Sequence, residues 1–270
     1  MIRLDKLLAD MGFGTRSEVR GLIRGGKASV DGEAVKDPGV RINPAESVVT
    51  VDGKTVQYRQ YVYYMMNKPA GVLSATRDYN QRTVLDLLAE DGVLRAGELS
   101  PAGRLDKDAE GLILLTNDGD LIHRIISPSH GTEKVYYAEY SGTLPADARE
   151  RMAAGMDIPA EEGEHNTKAA GAFVSAPAVL VLPGDPDWPG REEGLSEFPD
   201  VTEAGAAACA AVTVTEGRYH QVKRMFRALG CEVTYLRRIR MGELRLDGSL
   251  APGSYRPLTE EEIVLLRAIG

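Results

Sequence analysis

The sequence predicts an α+β protein in two parts: a small helix–helix–hairpin module with its linker over residues 1–58, and a larger domain over 59–270 with a mixed, mainly antiparallel sheet and flanking helices. Three observations carry that expectation. Apolar residues recur at helical spacing twice within the first 24 positions, then give way to a strand, an Asp-Gly turn and a second strand. From residue 61 onward short β-rich runs alternate with helical patterns, without an internal repeat or a glycine-rich nucleotide loop. A basic amphipathic segment, 219–228, is closed by Gly230 as a helix would be.

In the first module Leu4, Leu7, Leu8 and Met11 share one helical face, and Val19, Leu22 and Ile23 share another. Gly12 and Gly14 separate the two helices, and Thr15 or Ser17 caps the second. Residues 27–35 then read as a hairpin turning at Asp31-Gly32. A weaker strand is expected at 47–51, with a polar linker over 53–60. In the larger part, strands are expected at 61–66, 112–115, 134–140, 178–182 and 208–215, and extended pieces at 233–236 and 241–246. Helices are expected at 83–88, 120–126 and 146–154, and a last one opens at Thr259, spaced from Glu262 as a capping box.

The chain has 270 residues, of which 43% are hydrophobic and 27% charged, which predicts a globular protein with a sizeable core. It opens on Met1-Ile2-Arg3-Leu4-Asp5 without a long apolar stretch, and no run reaches the ~18 apolar residues of a membrane helix, so a cytoplasmic protein is expected. Cys209 and Cys231 match no zinc or redox spacing and are expected as reduced core residues; the four histidines are scattered, so no metal is expected. Net charge is -8, yet residues 1–44 hold eight Lys or Arg against six Asp or Glu, and 217–240 hold seven against one. Positive charge so concentrated keeps a nucleic-acid partner open. Acidity gathers over 185–203, with seven acids and one Arg among Pro and Gly, which reads as a solvated loop.

The order Arg3-Leu4-Asp5-Lys6, Arg16-Ser17 and Gly26-Lys27-Ala28-Ser29-Val30-Asp31-Gly32 resembles the S4 RNA-binding domain over about residues 1–50. That resemblance implies that Arg3, Lys6, Arg16, Arg20, Arg24 and Lys27 grip RNA backbone. Further on stand Asn67-Lys68-Pro69, Gly103-Arg104-Leu105-Asp106, the run from Gly111 to Gly119, Glu133-Lys134-Val135-Tyr136 and the segment 216–226. Five such segments in order, with the tail 250–259, resemble the pseudouridine synthases, and within them the RsuA-type enzymes.

The resemblance implies isomerisation of a uridine in folded ribosomal RNA: the bond from ribose C1′ to uracil N1 breaks, the base turns, and C5 joins C1′, without a cofactor. Cleavage of that bond leaves positive character at the sugar, which suits a carboxylate, as in glycoside cleavage. Asp106 is the expected carboxylate, acting either as nucleophile at C1′ or as a base at the sugar. Lys223 is implied as its cationic partner, with Lys107, Asp108 and Glu110 as neighbours only. Tyr136 is implied beside the uracil, on a face shared with Tyr140 and opposite to Tyr137. Arg104 is implied to hold the nucleotide out of its helix, and Arg224 to meet phosphate. Arg218, His220 and Gln221 are candidate RNA or structural contacts, Phe226 is expected in the core, and Leu112 or a neighbour on its strand is expected to wall the pocket. Ala109 departs from the Ser or Thr of many relatives, and the acidic segment is long; it is expected to point away from RNA.

The expected partner is ribosomal RNA, as small-subunit RNA or an assembly intermediate, bound by a monomer. Large-subunit RNA, a noncatalytic assembly role, and a hydrolase with paired carboxylates remain as alternatives.

Overall fold

The computed structural model describes residues 1–161, 171–189 and 208–269. They divide into two compact units: Met1–Val62 with Leu88–Glu98, and Tyr63–Leu87 with Leu99–Gly270.

In the first unit, helix α1 (Leu4–Asp10) and helix α2 (Arg16–Arg24) bury Leu4, Leu7, Leu8, Val19 and Ile23 against Ala28, Ile42, Val49 and Val51. Thr15 caps α2 in a reciprocal box with Glu18, a device that satisfies two otherwise unpaired backbone donors. Ala28–Val30 and Glu33–Ala34 pair around Asp31 and Gly32, both at positive φ as a two-residue hairpin turn requires. The expected polar linker is shorter than its composition suggested. Asp52 and Gly53 make a second turn of the same kind, and Lys54–Thr55 pairs back on Val49–Val51.

The second unit is organised on one sheet. Its main path uses β1 (Tyr63–Lys68), β2 (Glu110–Thr116), β3 (Lys134–Ser141), β4 (Val179–Val181), β5 (Ala208–Val214), β6 (Glu232–Met241) and β7 (Tyr255–Pro257), in the spatial order β4-β5-β3-β6-β2-β1-β7. Every pairing along that path is antiparallel except β6 with β2, where Arg237 and Arg238 lie opposite Glu110 and Gly111. Two antiparallel halves therefore meet along one short parallel seam. Gly111, at φ +99°, makes that seam possible: a Cβ there would collide with the Arg238 carbonyl and lie 2.8 Å from the Arg238 nitrogen.

Helices α3 (Val84–Glu90), α4 (Gly119–Ile126), α5 (Ala148–Ala154), α6 (Gln221–Ala228) and α7 (Glu260–Arg267) complete the helical set. On one face of β3, Tyr140 packs on Phe226 of α6, their ring centres 5.1 Å apart; on the other, Tyr137 meets Trp188 and Tyr235 edge-on. Strand alternation thus segregates Tyr136 and Tyr140 from Tyr137. Thr259 and Glu262 form the capping box of α7.

One expectation needs correction: the extended pieces 233–236 and 241–246 are not divided at 237–240. A ten-residue strand runs through Arg237, Arg238 and Arg240, then turns at Gly242 into Leu244–Arg245. Buried arginines masked the alternation by which a strand is recognised. Cys209 and Cys231 are buried thiols that form no disulfide with each other. Among the described residues no helix is long and apolar enough to cross a membrane, and no acidic, histidine or cysteine cluster is shaped to hold a metal. Most of the acidic segment, and with it the expected orientation of that loop, lies outside the described residues.

Candidate active site

Asp106 sits on the loop that leads into β2, and the loop is clamped from both sides. Upstream, the Ser74 hydroxyl donates to the Leu105 carbonyl at 2.9 Å and accepts from the Leu105 nitrogen at 3.0 Å. Downstream, the fully buried Lys68 ammonium donates to the carbonyls of Ala109 (2.8 Å), Pro69 (3.0 Å) and Lys107 (3.1 Å). Burial pushes the Lys68 ammonium down to about 8. An ammonium held among carbonyls instead of water is costly to bury, so this loop is fixed at real thermodynamic expense. Sequence reading singled out Asn67-Lys68-Pro69 as a motif but gave Lys68 no role.

The Asp106 carboxylate, 24% exposed, faces a cleft whose apolar wall is Val214, Val222 and Leu236 and whose rim includes Arg104 and Arg218. Leu112 does not wall this cleft. It is wholly buried in the sheet, and its carbonyl accepts from Arg238 Nε at 2.8 Å. Ala109 lines the cleft with a methyl where a hydroxyl would otherwise project.

Lys223 comes from α6. Its Nζ is 3.8 Å from an Asp106 oxygen, so the two groups implied as partners do meet across more than a hundred residues of chain. The closer partner, however, is Asp108, with both carboxylate oxygens 2.6 Å from that same Nζ. Partial burial pushes the Asp108 carboxyl up, but the Lys223 hydrogen bond and charge prevail and hold it below its ordinary range. Asp108 is 73% exposed and was expected only as a neighbour; the structure makes it a competitor for the cation.

Tyr136 lines the cleft with 8% exposure. Its hydroxyl is 3.5 Å from Arg238 Nη1, and the guanidinium carbon lies 6.0 Å from its ring centre. Arg238, in register with Tyr136 on one side and Gly111 on the other, is buried and was missed by sequence reading because it looked like one charge among several. A guanidinium donating to the phenol oxygen fixes the ring and leaves the phenol proton free to point elsewhere.

His220 opens α6 in the left-handed region (φ 50°) and stacks on Tyr219, ring centres 3.8 Å apart. Its Nε2 is 3.9 Å from Asp106 and its Nδ1 3.7 Å from Glu161, which also pairs with Arg227. Gln221 is buried and braces the turn, accepting from the Arg218 nitrogen at 2.9 Å and donating to Glu216 at 2.7 Å. Arg218 is exposed, paired with Glu216 and stacked over Phe173 at 4.7 Å.

Arg224 departs from expectation. It is 4% exposed, and its guanidinium donates to the carbonyls of Pro159 (2.7 Å) and Gly171 (2.8 Å), with Phe173 beneath it. It ties α6 to the backbone at Pro159 and Gly171 and is not presented to phosphate.

In the first unit, Asp5 is wholly buried and gathers three arginines: Arg3 at 3.0 Å, Arg20 at 3.0 Å and Arg16 at 3.9 Å. Hydrogen bonds from Arg3, foremost, and Arg20, with the charge of Arg16 nearby, hold the Asp5 carboxyl down at about 2 against the opposing effect of burial. The outer faces of Arg3, Arg16 and Arg20 stay exposed, as do Lys6, Arg24 and Lys27.

The second unit thus gathers a carboxylate from the loop before β2, a lysine from α6 and a tyrosine from β3, and the first unit is a helix–helix–hairpin module with exposed basic side chains. The S4 domain profile matches residues 2–48 and the RNA pseudouridylate synthase profile matches 62–228. An uncharacterized RNA pseudouridine synthase, YtzG, of Bacillus subtilis (strain 168) is 42% identical over 265 residues, covering 98% of each chain. Ribosomal small subunit pseudouridine synthase A of Escherichia coli (strain K12) is 38% identical, covering 97% of this chain and 98% of its own. A crystal structure of a pseudouridylate synthase superposes with a TM-score of 0.58 at 33% identity, over 98% of this chain and all of that one. The chain belongs to the RNA pseudouridylate synthase family and is a pseudouridine synthase with an S4 domain.

Proposed function

We propose that this enzyme converts a specific uridine of small-subunit ribosomal RNA to pseudouridine in the cytoplasm, with Asp106 as the carboxylate at the ribose. The observation that carries the site assignment is the half-sheltered Asp106 carboxylate at a cleft it shares with Tyr136, with the Lys223 ammonium 3.8 Å away. The near full-length similarity to an enzyme named for the small subunit supports the choice of RNA.

A uridine stacked in a helix hides C1′ and C5, so the target must be everted at a cost of a few kcal/mol, offset by contacts in the cleft. Arg104, whose exposed side chain lines the cleft, holds the everted nucleotide in this reading. Once the C1′–N1 bond breaks, the bonding pair stays with the uracil and the sugar becomes electron-poor. Asp106 stabilises that sugar, as nucleophile at C1′ or as base toward a sugar proton, and the Lys223 ammonium, 3.8 Å away, orients the carboxylate by its charge. The base turns and C5 bonds to C1′ as the Asp106–C1′ bond breaks or, on the base route, as Asp106 returns the sugar proton; the C5 proton then leaves with Tyr136 at hand, and N1 takes up a proton. Product and substrate are isomers, so no redox partner or cofactor enters the balance.

Asp106→Asn is expected to bind small-subunit RNA within about threefold of wild type yet release no tritium from C5-labelled uridine; wild-type turnover would remove Asp106 from the mechanism. Mapping pseudouridine in both ribosomal RNAs of a strain lacking the gene tests the substrate. Loss from the large-subunit RNA alone would overturn the choice made here.

A further inference from the structure

Between β1 and α3 the chain folds back on itself and holds its own shape. Leu73 and Thr83 form a bridge, the Leu73 nitrogen donates to the Arg82 carbonyl at 3.0 Å, and the Val84 nitrogen donates to the Leu73 carbonyl at 2.9 Å. At the tip, the Asp78 carboxylate accepts from the backbone nitrogens of Asn80 (2.8 Å) and Gln81 (2.9 Å), an Asx turn that stiffens the loop from within. The next side chain, Tyr79, is 89% exposed, the highest value among the exposed large hydrophobic side chains described. Arg77 lies over its ring at 5.4 Å. A rigid loop that holds an aromatic ring and a guanidinium in water forgoes the free energy that burying the ring would bring, and keeps a flat surface preorganised for something else.

The base of this loop is bolted to the catalytic segment by the paired Ser74–Leu105 hydrogen bonds. Tyr79 stands five positions after Ser74, so its Cα lies no more than about 18 Å from that of the anchor. We propose that Tyr79 and Arg77 form a platform on which an unpaired nucleobase flanking the target uridine stacks, with Arg77 adding charge toward the neighbouring phosphate. Every nucleobase has a π-face, so such a platform holds the RNA strand beside the cleft without reading its sequence. The platform rests on the reading of the cleft as a site for a uridine within RNA.

The test uses the full-length protein with C5-tritiated small-subunit RNA, bare and in partly assembled subunits. Tyr79→Ala is expected to raise Kd and KM about tenfold, within the range base–aromatic stacking provides, with kcat within twofold and the salt dependence of Kd unchanged. Tyr79→Phe is expected to match wild type, and Arg77→Gln to lower the slope of log Kd against log salt by about one. Binding of Tyr79→Ala within twofold of wild type would overturn the platform while leaving the cleft assignment intact. Wild-type protein that neither binds nor modifies these RNAs would overturn the reading of the cleft, and the platform with it; a Tyr79→Ala protein that loses kcat at unchanged Kd would refute stacking as the role of the ring.

Discussion

The lysine shared between Asp106 and Asp108 gives a discriminating experiment. Lys223 Nζ lies 3.8 Å from Asp106 and 2.6 Å from Asp108. At an effective dielectric near 20, a pair of unit charges 3.8 Å apart interacts by roughly 4 kcal/mol. With the Asp106 and Lys223 side chains 24% and 15% exposed, solvent screening leaves about half of that. Lys223→Met is therefore expected to cost about 2 kcal/mol in the transition state, a fall of about 30-fold in kcat/KM. Asp108→Asn behaves differently. The carboxylate it removes is 73% exposed, so the lost ion pair is worth about 0–1 kcal/mol of stability, and the freed ammonium can close on Asp106. Its turnover is expected to equal or exceed wild type by up to about threefold. Single-turnover tritium release from C5-labelled RNA, with thermal melts as a folding control, compares the two variants directly. An Asp108→Asn protein as impaired as Lys223→Met would refute the reasoning, because Asp108 would then be the partner through which the lysine acts.

Three further outcomes follow from groups elsewhere in the fold. Burial holds the ammonium groups of Lys68 and Lys134 down at about 8, against 10.5 ordinarily, so across that interval the unfolded chain binds protons that the folded one releases. Stability, followed by urea midpoints, is expected to rise from pH 8 toward 10.5 by about 3 kcal/mol for each lysine and to show no such slope just below 8. At the acid end, Asp5 and Asp247 are both held at about 2, the first chiefly by Arg3 and the second by Ser249, so the stability they add is lost as pH falls from near 4 to 2. Gly111→Ala forces a side chain into φ +99° and into the Arg238 backbone, and is expected to destabilise by more than about 3 kcal/mol, lowering Tm by roughly 6–12 °C; a melt within 2 °C of wild type would contradict the seam described here.

Local signals gave most of the secondary structure, and the failures have physical causes. Thr259 with Glu262 announced a helix start through a chemistry confined to four residues, and of the two caps open to the second helix, Thr15 and Ser17, Thr15 is the one used, boxed with Glu18. The Lys54–Thr55 hairpin was legible too, because Asp52-Gly53 repeats the dipeptide of Asp31-Gly32, but polar composition was given more weight than turn chemistry. β6 was split because its central positions are arginines that find carbonyls and a tyrosine within the fold, information absent from hydrophobic alternation. The same blindness touched the site. Whether a basic residue of α6 faces a ligand or its own chain depends, for Arg224, on the carbonyls of Pro159 and Gly171, more than fifty residues away. Motif order marked out Asp106, Tyr136 and Lys223 as a group. It could not say that Asp108 would stand nearer the lysine, or that Lys68 and Arg238 would lie beneath the loop and the ring.

The parallel seam between β2 and β6 has a consequence for when this molecule becomes active. Asp106 belongs to one half of the sheet, Tyr136 and Lys223 to the other, and the strands that join them pair residues well over a hundred positions apart. Contacts so distant in sequence are costly in chain entropy and form late. On the proposed reading of the cleft, a nascent or partly opened chain can hold each half correctly and still lack the grouping of Asp106, Tyr136 and Lys223, so competence to rearrange a base would arrive only with the final docking event. Damage to that joint should therefore silence the protein well before it melts.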